Sequence, residues 1–169
     1  MKTLAGVLLL TILGIGCGHN IGDGCMTNVD CSPFGDRSCD ISSVGGYCTI
    51  ENCDTTTCPS EAVCVRFFTP LADEPCLFDG VHLQSNCPHN DERCVCDRSS
   101  NGTCNDTSGH CAPASSERRW CERSCSGNGD CRGGYECRST GTFGAEAVPT
   151  FDMATGVPAK FCAPTGAAS

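Results

Sequence analysis

Cysteine is the residue with the most chemistry to offer in this chain. There are nineteen, and a thiol can attack a substrate, ligate a metal or close a disulfide. Zinc ribbons are built on C-x2-C knuckles, and the chain has none. His19, His82, His89 and His110 are scattered without H-x3-H or H-E-x-x-H spacing, so no metal site is expected. A cysteine nucleophile needs an activated free thiolate; His110 beside Cys111 reads as a surface histidine. There is no G-x-S-x-G elbow, Walker loop or G-x-G-x-x-G. Asp106-Thr107-Ser108-Gly109 inverts the last two residues of an aspartic-protease signature and has no second copy. The expectation is a protein that is not an enzyme, has no catalytic residues and uses no cofactor.

The count points instead to disulfides. Cys17 ends a hydrophobic leader. The other eighteen are Cys25, Cys31, Cys39, Cys48, Cys53, Cys58, Cys64, Cys76, Cys87, Cys94, Cys96, Cys104, Cys111, Cys121, Cys125, Cys131, Cys137 and Cys162. An even set can pair completely, and such bonds persist in oxidising compartments. The start of the chain agrees. Met1-Lys2 carries positive charge, Leu4 to Ile15 is an uncharged run, and small Gly16 precedes Cys17. That is the layout of an export signal over residues 1–16. Its apolar run is shorter than the roughly 20 residues a membrane-crossing helix needs.

The stretch Leu13-Gly14-Ile15-Gly16-Cys17 resembles the lipobox of bacterial lipoproteins, with Gly14 where that family carries leucine. The resemblance implies that Cys17 is acylated and becomes the new N-terminus. The chain would then meet a membrane through a lipid anchor, with residues 17–24 as its tether. Cleavage after Gly18 would release a secreted protein with the same eighteen cysteines. Either route is extracytoplasmic, at the outer membrane or cell surface, or secreted.

Leu, Ile, Val and Phe make up about 14 per cent of residues 17–169, below the roughly 20 per cent typical of chains with a full apolar core. Disulfides must compensate, each removing about 2–4 kcal/mol of unfolded-state entropy in the chain-entropy account. The formal net charge is −9, with most of the acids before residue 117. An acidic body does not bind phosphate backbones, whose affinity rests on Lys and Arg, so no nucleic-acid partner is expected.

Two segments repeat one another. Cys25-Met-Thr-Asn28-Val-Asp30-Cys31 and Cys125-Ser-Gly-Asn128-Gly-Asp130-Cys131 both read C-x-x-N-x-D-C. Each is followed by two glycines and a tyrosine near a cysteine, at Gly45-Gly46-Tyr47-Cys48 and Gly133-Gly134-Tyr135-Glu136-Cys137. Cys58 to Cys64 reads as a third copy with the spacing alone. Asn and Asp stabilise turns by bonding nearby backbone amides, and this reading is preferred over calcium ligation. In an EF-hand frame from Asn128, Arg132 would occupy a ligand position.

The C-x5-C-x5-C spacing at 125–137 resembles WAP domains, Dickkopf-type repeats and tandem units of cysteine-rich bacterial lipoproteins. The chain lacks the adjacent cysteines of WAP domains. Cys94-Val-Cys96 to Cys104 resembles the end of an EGF-like module, one residue short. These resemblances imply a small disulfide-rich fold of short β-strands and turns in irregular tandem repeats, with at most one short helix.

Strands are expected at Val63 to Phe68. A hairpin is expected at Leu77 to Leu83 around Asp79-Gly80. A second would pair Val148 to Asp152 with Val157 to Phe161. Glu117, Trp120, Cys121 and Cys125 fall at helical spacing, so the one helix is expected over Glu117 to Cys125. Residues 25–111 read as an acidic disulfide-rich region, 112–119 as a linker and 120–169 as a C-terminal repeat. Thirteen cysteines precede the linker and five follow it, so complete pairing requires at least one bridge across it.

The function expected is a structural or protein-interaction module of the cell envelope or surface, with an unidentified protein or glycan partner. Arg118, Arg119 and Trp120 are its candidate contact residues, since Arg and Trp favour interface hot spots. The alternative is a secreted protease inhibitor, with Arg118 or Arg119 as bait. Asn101-Gly-Thr and Asn105-Asp-Thr match N-glycosylation acceptors.

Overall fold

The structure is a computed structural model that describes residues 18–69, 75–76, 87–98, 104–140, 145–147 and 159–165. Cys17, Asn101 and the expected hairpins at Leu77 to Leu83 and Val148 to Asp152 lie outside these residues.

The chain is a small disulfide-rich assembly of short strands. In order they are α1 (Asn28–Cys31), β1 (Ser38–Asp40), β2 (Tyr47–Thr49), β3 (Ala62–Phe67), β4 (Pro75–Cys76), β5 (Glu92–Arg98), β6 (Cys104–Pro113), β7 (Arg118–Arg123), β8 (Tyr135–Ser139), β9 (Ala145–Ala147) and β10 (Lys160–Pro164). Single turns of 3₁₀ helix cover Ala114–Ser116 and Asn128–Asp130. The described strands pair antiparallel as β1–β2, β8–β10, β7–β3–β9 and β4–β6–β5.

One arrangement of four cysteines recurs four times. In unit 1, Cys25 is bridged to Cys39 and Cys31 to Cys48. Unit 2 joins Cys53 to Cys64 and Cys58 to Cys121. Unit 3 joins Cys76 to Cys94 and Cys87 to Cys111. Unit 4 joins Cys125 to Cys137 and Cys131 to Cys162. In every unit the first cysteine takes the third and the second takes the fourth.

The third and fourth also stand opposite one another in an antiparallel ladder: Cys39 and Cys48, Cys64 and Cys121, Cys94 and Cys111, Cys137 and Cys162. Each unit is thus a two-stranded ribbon whose facing cysteines are tied back to the preceding turn. These eight bridges use sixteen of the eighteen cysteines, and Cys96 and Cys104 make up the balance.

The units are not simply strung in a row. Unit 3 lies within the chain between Cys64 and Cys121 of unit 2, so β3 meets β7 only after an intervening disulfide-bonded unit. Cys58 and Cys64 hold the second and third places of their unit. The Cys58 to Cys64 segment therefore matches Cys131 to Cys137, not Cys25 to Cys31 as its spacing first indicated.

The expected helix at Glu117 to Cys125 is a strand. Arg118–Arg123 pairs with β3 through the register Ala62 with Arg123 to Phe67 with Arg118. Its other edge bonds to the end of unit 1. Cys121 N–H donates to Ile50 O (2.9 Å) and Asn52 N–H to Arg119 O (2.8 Å). Just beyond β7, Ser124 bridges to Phe161 of β10. A lone helix of two turns is marginal in water, whereas two laddered edges satisfy the backbone of β7 and draw units 1, 2 and 4 together. Helical spacing in so short a segment carried no information about a partner strand far back in the chain. The apparent linker dissolves for the same reason: Ala112 and Pro113 end β6, a 3₁₀ turn follows, and Arg118 and Arg119 begin β7.

Sulfur fills much of the core. Six of the ten largest fully buried side chains are Cys31, Cys48, Cys53, Cys94, Cys111 and Cys121. The main cluster gathers Ile21 and Tyr47 from unit 1, Cys53, Cys64 and Cys121 from unit 2, and Tyr135 and Cys162 from unit 4. A second joins Val65 to Ala145, Phe161 and Ala163, with Phe67 and Phe161 edge-to-face at 5.9 Å. Unit 3 meets unit 2 through Phe68, Val95 and Ala112.

Candidate functional site

The Asn and Asp of the repeated motif serve the backbone, and they do so in duplicate. Asn28 Oδ1 accepts from Cys39 N–H at 2.8 Å, and Asn128 Oδ1 from Cys137 N–H at 2.9 Å. Asp30 Oδ2 accepts from Met26 and Thr27 N–H, both at 2.9 Å. Asp130 Oδ2 accepts from Ser126 and Gly127 N–H at 2.7 and 3.2 Å. These amide bonds hold both carboxyls below the usual carboxylate range. Asp54 opens a comparable turn in unit 2. Hydrogen bonds led by the Thr57 hydroxyl bring its pKa down to about 2.

Units 1 and 4 meet at a seam built on the two Gly-Gly-Tyr segments. Tyr47 and Tyr135 lie 5.4 Å apart by ring centroid. The Arg132 guanidinium sits 4.3 Å from the Tyr135 ring and 5.8 Å from the Tyr47 ring. It donates to Val44 O at 2.8 Å, to Gly46 O and to the Tyr135 hydroxyl at 2.7 Å. A planar fork of donors suits this task better than an ammonium, because it stacks and bonds at once. Gly46 is where this turn passes closest to the Cys25 backbone. Its φ is +67°, and a Cβ there would stand 1.9 Å from Cys25 O.

The other side of Tyr47 carries a buried acid. The Tyr47 hydroxyl accepts from Arg123 N–H at 2.9 Å and lies near the Glu122 carboxyl. Glu122 as a residue keeps partial exposure, while its carboxyl is largely desolvated. Burial, reinforced by the nearby Asp40 charge and only partly offset by the Tyr47 hydroxyl, pushes its pKa up to about 8. Burial and the Glu122 charge together push the Tyr47 phenol above its ordinary range.

The expected contact residues occupy β7 and its edge. Arg118 is exposed and donates to Glu117 O at 2.8 Å and Ser115 O at 3.2 Å. Arg119 Nε is paired with Glu117 Oε1 at 2.5 Å. Trp120 is half-buried, its backbone bridged to Glu51 and laddered to Val65. The backbone at Arg119 and Trp120 is bonded on both sides of β7, to β3 and to Ile50–Asn52. The eighteen framework positions divide as described above. The close cysteine triplets, such as Cys25, Cys31 and Cys39, contain sulfurs already spent in disulfides.

One feature was not anticipated from the residues. Every exposed large apolar side chain among the described residues lies in unit 1: Met26, Val29, Phe34, Ile41 and Val44. Phe34 is 90 % exposed. Scattered single exposures are ordinary on protein surfaces, but confinement to one short unit is not scatter. The signal in the sequence was five apolar residues among turn formers, with neither a helical nor a strand period. Cys25–Cys39 holds the loops bearing Met26 and Ile41 together, with Cα atoms 5.9 Å apart. Gly18 and Phe34 line the same shallow hollow. Arg37 donates to His19 O, which ties the loop after Phe34 to the first described residues.

No protein-family model matches the chain, and neither a curated protein nor a solved structure matches it. The class defined by the fold is a cysteine-rich, disulfide-bonded protein of short strands.

Proposed function

We propose that this chain is an exported protein, acylated at Cys17 and held on a membrane outside the cytoplasm. There it acts as a rigid structural or protein-interaction module, without catalysis. The observation that carries the reading is the density of disulfides, eight among the described residues. Such bonds are maintained in oxidising compartments, in keeping with the leader before Cys17. Bridged turns also lose little conformational freedom on binding, which suits recognition of a protein or glycan by preorganised loops. Arg118, Arg119 and Trp120 remain candidate contacts through their side chains.

The test is mass spectrometry of the intact protein from its native host under non-reducing conditions. An N-terminal diacylated Cys17 and no free thiols are expected. A chain that begins after Cys17 would replace the anchored reading by a secreted one. Several free thiols or bound zinc would overturn the framework.

A further inference from the structure

We infer that unit 1 lies on the lipid surface, with Phe34 at the centre of the contact, and that the protein docks on membranes of low charge. The inference rests on the anchored reading for its setting, but its evidence is separate. Residues 4–15 are the apolar run of the sequence, and the chain passes from Cys17 straight into Gly18. Gly18 and Phe34 line one hollow, and the ideal Cβ of Gly18 would lie 3.5 Å from Cys31 O. The point where an anchor would emerge is therefore beside the most exposed aromatic ring among the described residues.

Among the described residues the remaining exposed large apolar side chains, Met26, Val29, Ile41 and Val44, belong to the same unit and to no other. An exposed aromatic ring, with exposed aliphatic side chains in the same unit, is suited to the boundary between headgroups and acyl chains. Two acyl chains on Cys17 would hold the chain on the surface by themselves, and the apolar side chains of unit 1 would then fix how the protein lies against it. Asp23, Asp30, Asp36, Asp40 and Glu51 stand against a single arginine, Arg37, in residues 18–52. Anionic lipids attract basic segments, so this acidic unit favours zwitterionic lipids, and apolar insertion carries the contact.

The experiment tethers the protein artificially, so that docking is read independently of acylation in the cell. The mature chain with Cys17→Ser and an N-terminal hexahistidine extension is bound to phosphatidylcholine vesicles containing a trace of nickel-chelating lipid. Phe34→Trp and, as a control, exposed Thr55→Trp are each compared with the parent, whose single tryptophan is Trp120. With brominated phosphatidylcholine, at least about two-fold quenching of Trp emission at position 34 is expected, with none at position 55. Replacing half the lipid by phosphatidylglycerol should weaken the quenching.

Equal quenching at the two positions would overturn the inference. So would a dimer in solution that Phe34→Ser dissociates, which would assign the apolar tips to a second copy of the chain. Quenching at position 34 in a protein whose native form lacks an acylated Cys17 would remove the anchor and leave the docking surface standing.

Discussion

Cys64 and Cys121 face one another across the β3–β7 ladder yet are not bonded to each other. Each is tied to a cysteine before β3, Cys64 to Cys53 and Cys121 to Cys58. The same crossed arrangement occurs at Cys39 and Cys48, at Cys94 and Cys111, and at Cys137 and Cys162. What distinguishes the Cys64 and Cys121 pair is that unit 3 occupies the chain between them. The Cys58–Cys121 bond therefore closes a sequence separation of 63 residues and clasps unit 2 around that insertion.

Removing this clasp should cost more than removing a short bridge. Chain-entropy arithmetic gives about 4 kcal/mol for a loop of this length and about 3 kcal/mol for the Cys25–Cys39 loop. The bridges inside unit 3 shorten the effective long loop and narrow the gap. Cys58→Ala with Cys121→Ala is expected to lower the guanidinium midpoint at least as much as Cys25→Ala with Cys39→Ala. Equal unfolding of the double variant and the parent would show that β7 pairing alone holds the junction.

The two Gly-Gly-Tyr segments should respond unequally to the same substitution. Both Gly46 and Gly134 have positive φ, +67° and +85°, which costs an L-residue roughly 1–2 kcal/mol. At Gly134 the nearest obstacle to a Cβ is Val44 Cγ1 at 3.7 Å, an ordinary contact. At Gly46 it is backbone, Cys25 O at 1.9 Å, which cannot yield without moving the Cys25–Cys39 bridge. Gly134→Ala is expected to fold with a modest loss in thermal midpoint. Gly46→Ala is expected to fail oxidative refolding or to refold with scrambled bridges, as judged by non-reducing peptide mapping.

Equivalent turn residues should, by contrast, behave alike. Asn28→Ala and Asn128→Ala each remove one side-chain acceptor from a strand amide. Each should cost about 1 kcal/mol, the usual net value of such a bond. The adjacent Asp30 and Asp130 have depressed pKa values. Their stabilisation is present above the ordinary carboxylate range and is lost as pH falls through their folded values. The double variant Asp30→Asn with Asp130→Asn should lose part of the parent's acid-side stability slope in denaturant titrations below pH 4.

Glu122 has the opposite sign. Its folded pKa of about 8 lies well above the ordinary carboxylate range, so the folded state holds a proton that the unfolded chain releases. Stability from this group is full below about pH 4.5 and falls as pH rises toward 8. At about 1.4 kcal/mol per pH unit the loss is at most roughly 5 kcal/mol, and less where water reaches the carboxyl. Glu122→Gln is expected to flatten the decline between pH 5 and pH 8 and to be the more stable protein at pH 8. An unchanged slope would mean that the carboxyl is solvated and already charged.

Residue types and local spacing determined a good deal about this protein. They set out a disulfide framework, short strands, turns built on Asn and Asp, and, by the split of thirteen cysteines and five, a bridge across residues 112–119 if all pair. These features rest on composition, parity and contacts a few residues long. Tertiary structure alone decided which cysteines pair, because near-identical spacings at Cys25 and Cys58 lead to different places in their units. It also decided that Arg118–Arg123 is a strand, since its partners, Ala62–Phe67 and Ile50–Asn52, are distant in sequence. The same holds for the charge of Glu122 and the exposure of Phe34. Whether a carboxyl is desolvated or a ring is left in water depends on what packs around it, and here those neighbours come from other units of the chain.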